Sequence, residues 1–302
     1  MALFGRLLFM LATLGVGFGA RWYGVLDEER TDRLNWLAFY VALPALIFAS
    51  THDRALGEIV TPPLLAGLWI VLLTVVGLSW LVHRTAPSRG ERSVAIVQSY
   101  HSNFGYLGLP LVAATMGGTA AAKASVILGV GALTQVPLTI LFLITINDAD
   151  AAVHEELGSL ATNPVILSLA AGLTVAATGL PVPQAAVGVL APVGQLALPI
   201  ALLCVGASLQ IAASPGDFER VGSVVALKVF LMPALAWVAF TLLGADTLTL
   251  QTAVVMFATP TAVSTFIYAN ELGGDADLAS LNVFATTVVS LGTLFVLLRL
   301  FV

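Results

Sequence analysis

Residues 102–110, Ser-Asn-Phe-Gly-Tyr-Leu-Gly-Leu-Pro, combine polar and helix-breaking residues inside an otherwise apolar stretch of the chain. Asn103 can donate two N–H hydrogen bonds and stays neutral at physiological pH, so it can bind a carboxylate without adding a buried charge. Ser102 and Tyr106 add hydroxyl groups, and Pro110 removes one helical N–H group. We therefore expect this segment to be an interrupted helix that binds a small anion.

A second interrupted segment is predicted around Pro260, which Thr259 and Thr261 flank. In the first segment, Gly105 and Gly108 permit unwinding and the close approach of another backbone. Interrupted helices expose backbone N–H groups, and helix N-termini carry partial positive charge, so both can hold a carboxylate. We expect free backbone amides of this kind at the two breaks, with no metal or other cofactor.

The composition indicates that these segments lie in a membrane. The chain of 302 residues is 59% hydrophobic and only 10% charged, and its mean hydropathy is +0.99. Soluble domains carry about 25% charged residues, and a membrane-spanning helix needs about 20 apolar residues. The sequence therefore predicts an all-α polytopic membrane protein with ten spans, at about 4–22, 34–50, 61–82, 93–116, 122–146, 162–180, 187–210, 220–243, 249–270 and 277–301.

Two pairs of landmarks indicate an internal repeat of five spans. Ala-Leu-Pro occurs at 42–44 and again at 197–199, and Gly-Gly occurs at 117–118 and again at 273–274. Five is odd, so the second copy enters the membrane from the opposite side, as in the inverted repeats of many secondary transporters. We predict one transmembrane domain over 1–302, composed of a first repeat at about 1–147, a connection at 147–161 and a second repeat at about 162–302.

Basic residues in the connections predict the orientation, because cytoplasmic loops carry an excess of Lys and Arg. One side receives seven basic residues and the other side four: Arg21, Arg30, Arg33, Arg84, Arg89, Arg92 and Arg220, against Arg6, Arg54, Lys123 and Arg299. The side with seven should be cytoplasmic, which places both termini outside the cell membrane. Lys228 lies inside a predicted span, where an ionisable residue is a functional candidate, and we interpret it as a candidate countercharge.

Several stretches resemble the auxin efflux carrier family, which includes the plant PIN-FORMED exporters and belongs to the bile acid and auxin transporter group. Residues 102–110 are similar to the family's N-x-G-x-x-G-x-P crossover segment, and 31–48, 196–209 and 258–280 resemble its second, seventh and ninth spans. The resemblance covers nearly the whole chain. It implies ten helices in an inverted repeat, with broken helices four and nine crossing at the midplane beside a scaffold bundle.

The resemblance also implies roles for individual residues. Asn103, seven residues before Pro110, corresponds to the asparagine that binds the substrate carboxylate, and Asn163 with Pro164 corresponds to a site-lining motif of the sixth span. Gln135 resembles a polar residue of the fifth span. The sequence departs from the plant pattern at Val165, where that motif repeats its asparagine, and at 61–63, Thr-Pro-Pro, where the plant family has an acid.

These observations predict a secondary carrier, such as an efflux carrier, that moves small organic anions by alternating access. The chain has no phosphate-binding loop for ATP. We expect no enzyme activity and no nucleic-acid partner; the partners are a small carboxylate and membrane lipid, and a homodimer is left open. Three alternatives remain: a sodium- or proton-coupled carboxylate symporter of the same fold, a channel-like pore, and an intramembrane hydrolase built on His101 and Ser102.

Overall fold

The computed structural model describes residues 2–150, 158–208 and 218–301. Residues 151–157 of the predicted connection and the end of the predicted seventh span lie outside the described residues. Within the described ranges the chain is helical, and Ser102 and Thr261 form the one β-type pairing. The helices are α1 (Ala2–Trp22), α2 (Glu28–Thr51), α3 (Pro62–His83), α4 (Arg89–Tyr100), α5 (Phe104–Met116), α6 (Gly118–Asn147), α7 (Pro164–Thr178), α8 (Gln184–Ser208), α9 (218–242), α10 (Thr247–Phe257), α11 (Ser264–Glu271) and α12 (Ala276–Phe301).

The lengths and compositions of these helices make the chain an all-α polytopic membrane protein. Among the described residues, six helices are long and apolar enough to cross a membrane: α2, α3 with the turn before it, α6, α8, α9 and α12. Shorter apolar helices lie in α1, α5, α7 and α10. Each predicted span overlaps one or two of the helices. The count of ten spans and the inverted repeat stay predictions.

Helices α1, α2, α7 and α8 pack on one another, and we name this group bundle one. Glycines permit the close packing of its helices. A Cβ atom added at Gly17 of α1 would collide with the carbonyl of Leu203 in α8, and one added at Gly206 of α8 would collide with the carbonyl of Leu14. Ser168 of α7 donates a 2.5 Å hydrogen bond to the carbonyl of Pro44 in α2. Bundle one is therefore held by backbone contacts that larger residues would prevent.

The remaining helices, α3 to α6 and α9 to α12, form bundle two. Here aromatic side chains fill the space beside glycines and between helices from the two halves of the chain. Phe240 of α9 packs against Gly67 of α3, and Phe104 of α5 meets Phe257 of α10 edge to face at 5.5 Å. The two bundles meet where α2 packs on α6 and where α8 packs on α5. Bundle two contains both interrupted segments.

The first interruption lies at residues 101–103, between α4 and α5, and this corrects the expectation that the break follows from Pro110. Residues 104–108, which include Gly105 and Gly108, are not unwound but form a π-helical turn at the start of α5. Pro110 follows directly after this turn, as the seventh residue of α5, and a proline inside a membrane helix is tolerated where a local π-helical turn adjusts the hydrogen bonding. The second interruption, between α10 and α11, does contain Pro260.

Ion pairs join the two halves of bundle two at both of its ends. At one end Arg220 of α9 bonds to Glu91 of α4 and to Asp275 before α12. At the other end Lys123 of α6, which is 4% exposed, donates to Asp246 at 3.2 Å and to Thr249 at 2.5 Å. The sequence analysis counted Arg220 and Lys123 only as charges of the connections, and the structure pairs both with carboxylates at the helix ends of bundle two.

Asp246 makes the stability of bundle two depend on pH. Partial burial alone would raise the pKa of its carboxyl group, but hydrogen bonds from Thr249 and Lys123 outweigh burial and hold the pKa below its ordinary value. A carboxylate with a lowered pKa in the folded state stabilises that state above the unfolded-state pKa. Its contribution is therefore complete near neutral pH and is lost as the pH falls below about 4.

We expect Asp246→Asn to lower the melting temperature at pH 7 by about 2–4 °C, since Asp246 is half-exposed and the ion pair contributes about 1 kcal/mol. Asparagine keeps the N-cap that Asp246 provides for α10 and loses the charge together with the Oδ2 acceptor of Lys123 and Thr249. Melting curves of detergent-purified protein between pH 7 and pH 3.5 measure the loss. The difference between the two melting temperatures should narrow at the acidic end, and a constant difference across this range would contradict the ion pair's role.

Candidate functional site

The two interruptions meet in the core of bundle two. Ser102 and Thr261 form an isolated antiparallel β-bridge. The backbone N–H of Asn103 donates to the carbonyl of Pro260 at 2.9 Å, and the N–H of Ala262 donates to the carbonyl of His101 at 3.0 Å. The two broken helices are therefore joined by backbone pairing at their open turns, which we name the crossover (101–103 and 258–263).

Gln135 of α6 completes the hydrogen bonding at the crossover. Its side-chain carbonyl accepts from the N–H of Ser102 at 3.1 Å, and its amide group donates to the carbonyl of Ser102 at 3.0 Å. The N–H of His101 bonds to Val97, and the carbonyl of Asn103 accepts from Gly108. Every backbone N–H and C=O group of 101–103 thus has a partner, as burial in a membrane demands. The expectation of free backbone amides is wrong for these three residues.

The Asn103 side chain keeps one hydrogen-bonding group available. Its Oδ1 atom accepts from the backbone N–H of Tyr106 at 3.0 Å and so caps the start of α5. Its amide NH2 group has no protein partner among the described residues, although Asn103 is only 3% exposed. The nitrogen is not among the fully buried side-chain atoms that lack a partner, so a small molecule can reach it. An NH2 group in this position gains a hydrogen bond when a ligand or water binds it. The geometry therefore leaves a neutral donor for an anion at the crossover.

Lys228 places an ionisable amine beside the crossover. It lies in a π-helical turn of α9, is fully buried, and its Nζ atom donates to the carbonyl of Phe257 at 2.9 Å. Phe257 is the last residue of α10, so the amine also lies at the negative end of that helix dipole. Within the described part of the chain no carboxylate lies within ion-pair distance of Lys228. In its protonated form the amine faces peptide dipoles alone and can attract an anion.

The other predicted site residues of α5 divide between two surroundings. Tyr106 stacks on Phe39 of α2 at 6.4 Å, so it faces bundle one. A Cβ atom added at Gly108 would lie 2.9 Å from the sulfur of Met256 and 3.3 Å from Thr259, so it faces α10. A Cβ atom added at Gly105 would make only ordinary van der Waals contacts, with side chains of Leu128 and Leu43.

Serine, threonine and asparagine hydrogen bonds account for the rest of the predicted site. Ser102 Oγ lies 3.5 Å from the carbonyl of Tyr100 and makes no hydrogen bond with His101 in the described structure, which leaves the hydrolase alternative without support. Thr261 Oγ1 donates to the carbonyl of His101 at 3.2 Å. Asn163 caps α7 by accepting from Val165 at 2.9 Å. No described contact brings Asn163 to the crossover.

A buried polar network lies behind the crossover, and its central residue, Gln98, escaped the sequence analysis. The Gln98 amide group of α4 donates to Thr265 at 2.9 Å, and the Asn282 amide group of α12 donates to Gln98 at 2.8 Å. Thr286 accepts from the N–H of Thr261 at 3.3 Å. The available signal was a glutamine inside an apolar span, Val-Ala-Ile-Val-Gln, at 94–98. These residues fix the second broken helix against α4 and α12.

A cavity of about 880 Å³ lies between the two bundles. Bundle two contributes Pro110, Ala113 and Ala114 of α5 and the start of α6, and α1, α2 and α8 contribute the facing wall. The lining includes the helix-end residues Arg54 and Gly118, so the cavity extends to that end of the protein. Apart from Pro110, the predicted site residues do not line it.

A small hydrophobic cluster adjoins the cavity on the side away from Arg54 and Gly118. Ala38, Ile200 and Cys204 of bundle one form its buried centre, and Leu34 and Tyr106 pack against it. The cluster lies about one turn from the cavity lining along α5 and α8 and about two turns along α2. Tyr106 brings bundle two into this cluster, so apolar side chains of both bundles meet beside the cavity.

Comparison with known proteins gives a consistent result. The model of a family described as membrane transport protein matches residues 2–298. A protein of Rhizobium meliloti named "Putative malonate transporter" is 27% identical over 94% of this chain and 93% of its own length. A protein of Methanothermobacter thermautotrophicus named "Uncharacterized transporter" is 24% identical over 94% of both chains. The similarity extends over almost the whole chain in each case.

Proposed function

Because the chain belongs to the membrane transport protein family, as its resemblance to the auxin efflux carriers predicted, we propose that it is a secondary carrier of small organic anions. Its substrate binds at the crossover through the Asn103 amide group, with Lys228 as countercharge. Bundle two moves relative to bundle one and carries the anion across the cell membrane by alternating access. The ten spans form the inverted repeat in which the two broken helices are α4 with α5 and α10 with α11.

One observation carries this proposal. The space between the bundles is a large cavity that reaches one end of the protein, and apolar side chains of both bundles meet at Tyr106 beside it. The crossover lies in the bundle that forms one wall. A cavity of this kind is what a carrier stopped in one of its two states should show. A channel-like pore is less well supported, because Tyr106 of bundle two packs on the cluster of bundle one at this place.

Malonate is the first substrate to test, since one relative is named for its transport. Neutral donors and a lysine bound to a carbonyl can hold a carboxylate and still release it, because no carboxylate-binding arginine is buried beside the crossover in the described structure. We further propose that both termini are extracellular and that the 147–161 connection is cytoplasmic. The cavity, which shares its end with the start of α1, is then open to the outside.

Counterflow of labelled malonate in proteoliposomes tests the proposal. Vesicles loaded with unlabelled malonate should accumulate the labelled anion transiently, because a carrier exchanges substrate without net flux. Parallel assays with a sodium gradient and with a pH gradient separate the uncoupled carrier from the two symporters. Uptake without any stimulation by internal substrate, together with single-channel currents, would instead identify a pore.

A further inference from the structure

Arg54 is the one charged side chain among the described residues that line the cavity. It follows α2, and its guanidinium group reaches across to the start of α6 in the other bundle. There Nη1 donates to Thr119 at 3.3 Å, and a Cβ atom added at Gly118 would lie 2.8 Å from Nη2. The guanidinium group therefore rests directly on the backbone of a glycine, in contact with both bundles.

Most of the donors of this arginine remain open. An arginine carries five N–H donors in a planar fork that matches a carboxylate. Arg54 has one long hydrogen bond to Thr119, and its Nε atom lies 3.3 Å from Asp53 without the alignment of a hydrogen bond. The Asp53 side chain is 58% exposed, and an exposed pair of this kind is weak because water screens it. The fork can therefore exchange Asp53 for an incoming anion.

The adjoining helix adds to the positive potential. Helix α6 has 30 residues, no side-chain N-cap and no acidic residue in its first turn. The partial positive charge of its N-terminus is therefore uncompensated by a side chain. Because low-dielectric walls concentrate the field of such charges inside a cleft, the two sources act together on an anion that enters the cavity.

This positive site is separate from the crossover. Gly118 lies fifteen residues after Asn103, or about 20 Å along the intervening helix at the usual rise. A small dicarboxylate is far too short to bind at both places at once. The outer site and the crossover must therefore act in succession.

We infer that Arg54, seated on Gly118, forms an outer anion-binding subsite that captures carboxylates at the mouth of the cavity before they reach the crossover. The inference rests on the proposed function, because only an anion carrier would use such a subsite. Its role is to raise the local anion concentration. Removing it should raise the KM for malonate and weaken the dependence of uptake on ionic strength, with kcat little changed.

Cysteine modification measures the subsite without any transport assay. Ala113→Cys places a thiol on the cavity wall, and the wild-type chain, whose single cysteine is the buried Cys204, is the blank. The measured quantity is the rate of modification by an anionic methanethiosulfonate reagent divided by the rate with a cationic one. Arg54→Gln should lower this ratio on the order of fivefold, the effect expected for one charge at several ångströms in a hydrated cavity.

Two further variants define the geometry. Gly118→Ala should lower the same ratio about twofold without destabilising the helix, since the added methyl group displaces only the flexible end of Arg54. Gly57→Ala, where nothing lies within 4 Å of the added atom, should leave the ratio unchanged. A reporter at the opposite end of the protein, Thr85→Cys, should not respond to Arg54→Gln.

The subsite proposal is wrong if Arg54→Gln leaves the ratio of the two modification rates unchanged. It is also wrong if the thiol introduced by Ala113→Cys reacts neither with Arg54 present nor with Arg54→Gln. If Arg54→Gln lowers the ratio and Gly118→Ala does not, the guanidinium group of Arg54 does not rest on Gly118. These outcomes are distinct from failure of the proposed function. If proteoliposomes carry no malonate, the labelling ratios still report whether the cavity attracts anions.

Discussion

Asn103→Asp is expected to lower the affinity for the transported carboxylate by at least about 100-fold while the protein still folds. The substitution replaces the one available NH2 donor at the crossover with a charged oxygen. Losing a donor to a buried partner costs about 1–3 kcal/mol, and repulsion between two anions adds to this. Aspartate is as good an N-cap as asparagine, so the hydrogen bond from Tyr106 to this side chain is kept.

The measurement is equilibrium binding of labelled malonate, or of another substrate found by counterflow, to protein that elutes as a single folded species. Asn270→Asp is the matched control, because it makes the same change on the exposed side of α11. Asn163→Asp is a second comparison at another N-cap asparagine. If it also weakens binding, the sixth-span asparagine contributes to the site as the family resemblance implies. Wild-type affinity in Asn103→Asp would show that the carboxylate binds elsewhere.

Lys228→Met is expected to weaken anion binding on the order of 30-fold and to leave the melting temperature unchanged or higher. At the effective dielectric constant of a protein site, two opposite unit charges about 8 Å apart attract each other by about 2 kcal/mol. The carbonyl of Phe257 loses its donor, which destabilises the fold, but the cost of burying an unpaired ammonium group disappears at the same time. Replacing a buried ion by an apolar residue of similar size is often neutral or stabilising.

Lys123→Met provides the matched control, since Lys123 is the only other lysine and is also buried. Lys123 binds a carboxylate at the end of bundle two, so its replacement should lower the melting temperature and leave the affinity of the folded protein unchanged. Replacing the two lysines should thus have opposite effects in the binding and melting measurements. If Lys228→Met lowers the melting temperature and retains full affinity, Lys228 is structural and the countercharge assignment fails.

The interrupted segments show which features of a helix break can be predicted from the local sequence. Polar residues with glycine and proline marked 102–110 and the region of Pro260 as irregular, because helix propensity is a local property. The sequence placed the first break by its proline, whereas the structure opens the chain at 101–103. Asn103 caps a new helix there, and Pro110 lies inside that helix directly after its π-helical turn, where a local adjustment of the hydrogen bonding accommodates the missing N–H group. Which of several irregular residues opens depends on the partners that satisfy its backbone.

Those partners come from distant parts of the chain, and no local pattern encodes them. Hydropathy over 20 residues was enough to predict a helical membrane protein, since each span meets lipid independently. The pairing of Ser102 with Thr261, the two bonds from Gln135, and the bond from Lys228 to Phe257 all join separate helices. The sequence named Asn103, Gln135 and Lys228 as candidates. Only the tertiary structure decided that Gln135 completes the backbone at the break, that Asn103 retains a free donor, and that Arg54 lies on Gly118. The first two depend on how the helices of bundle two pack together, and the third depends on how the two bundles pack.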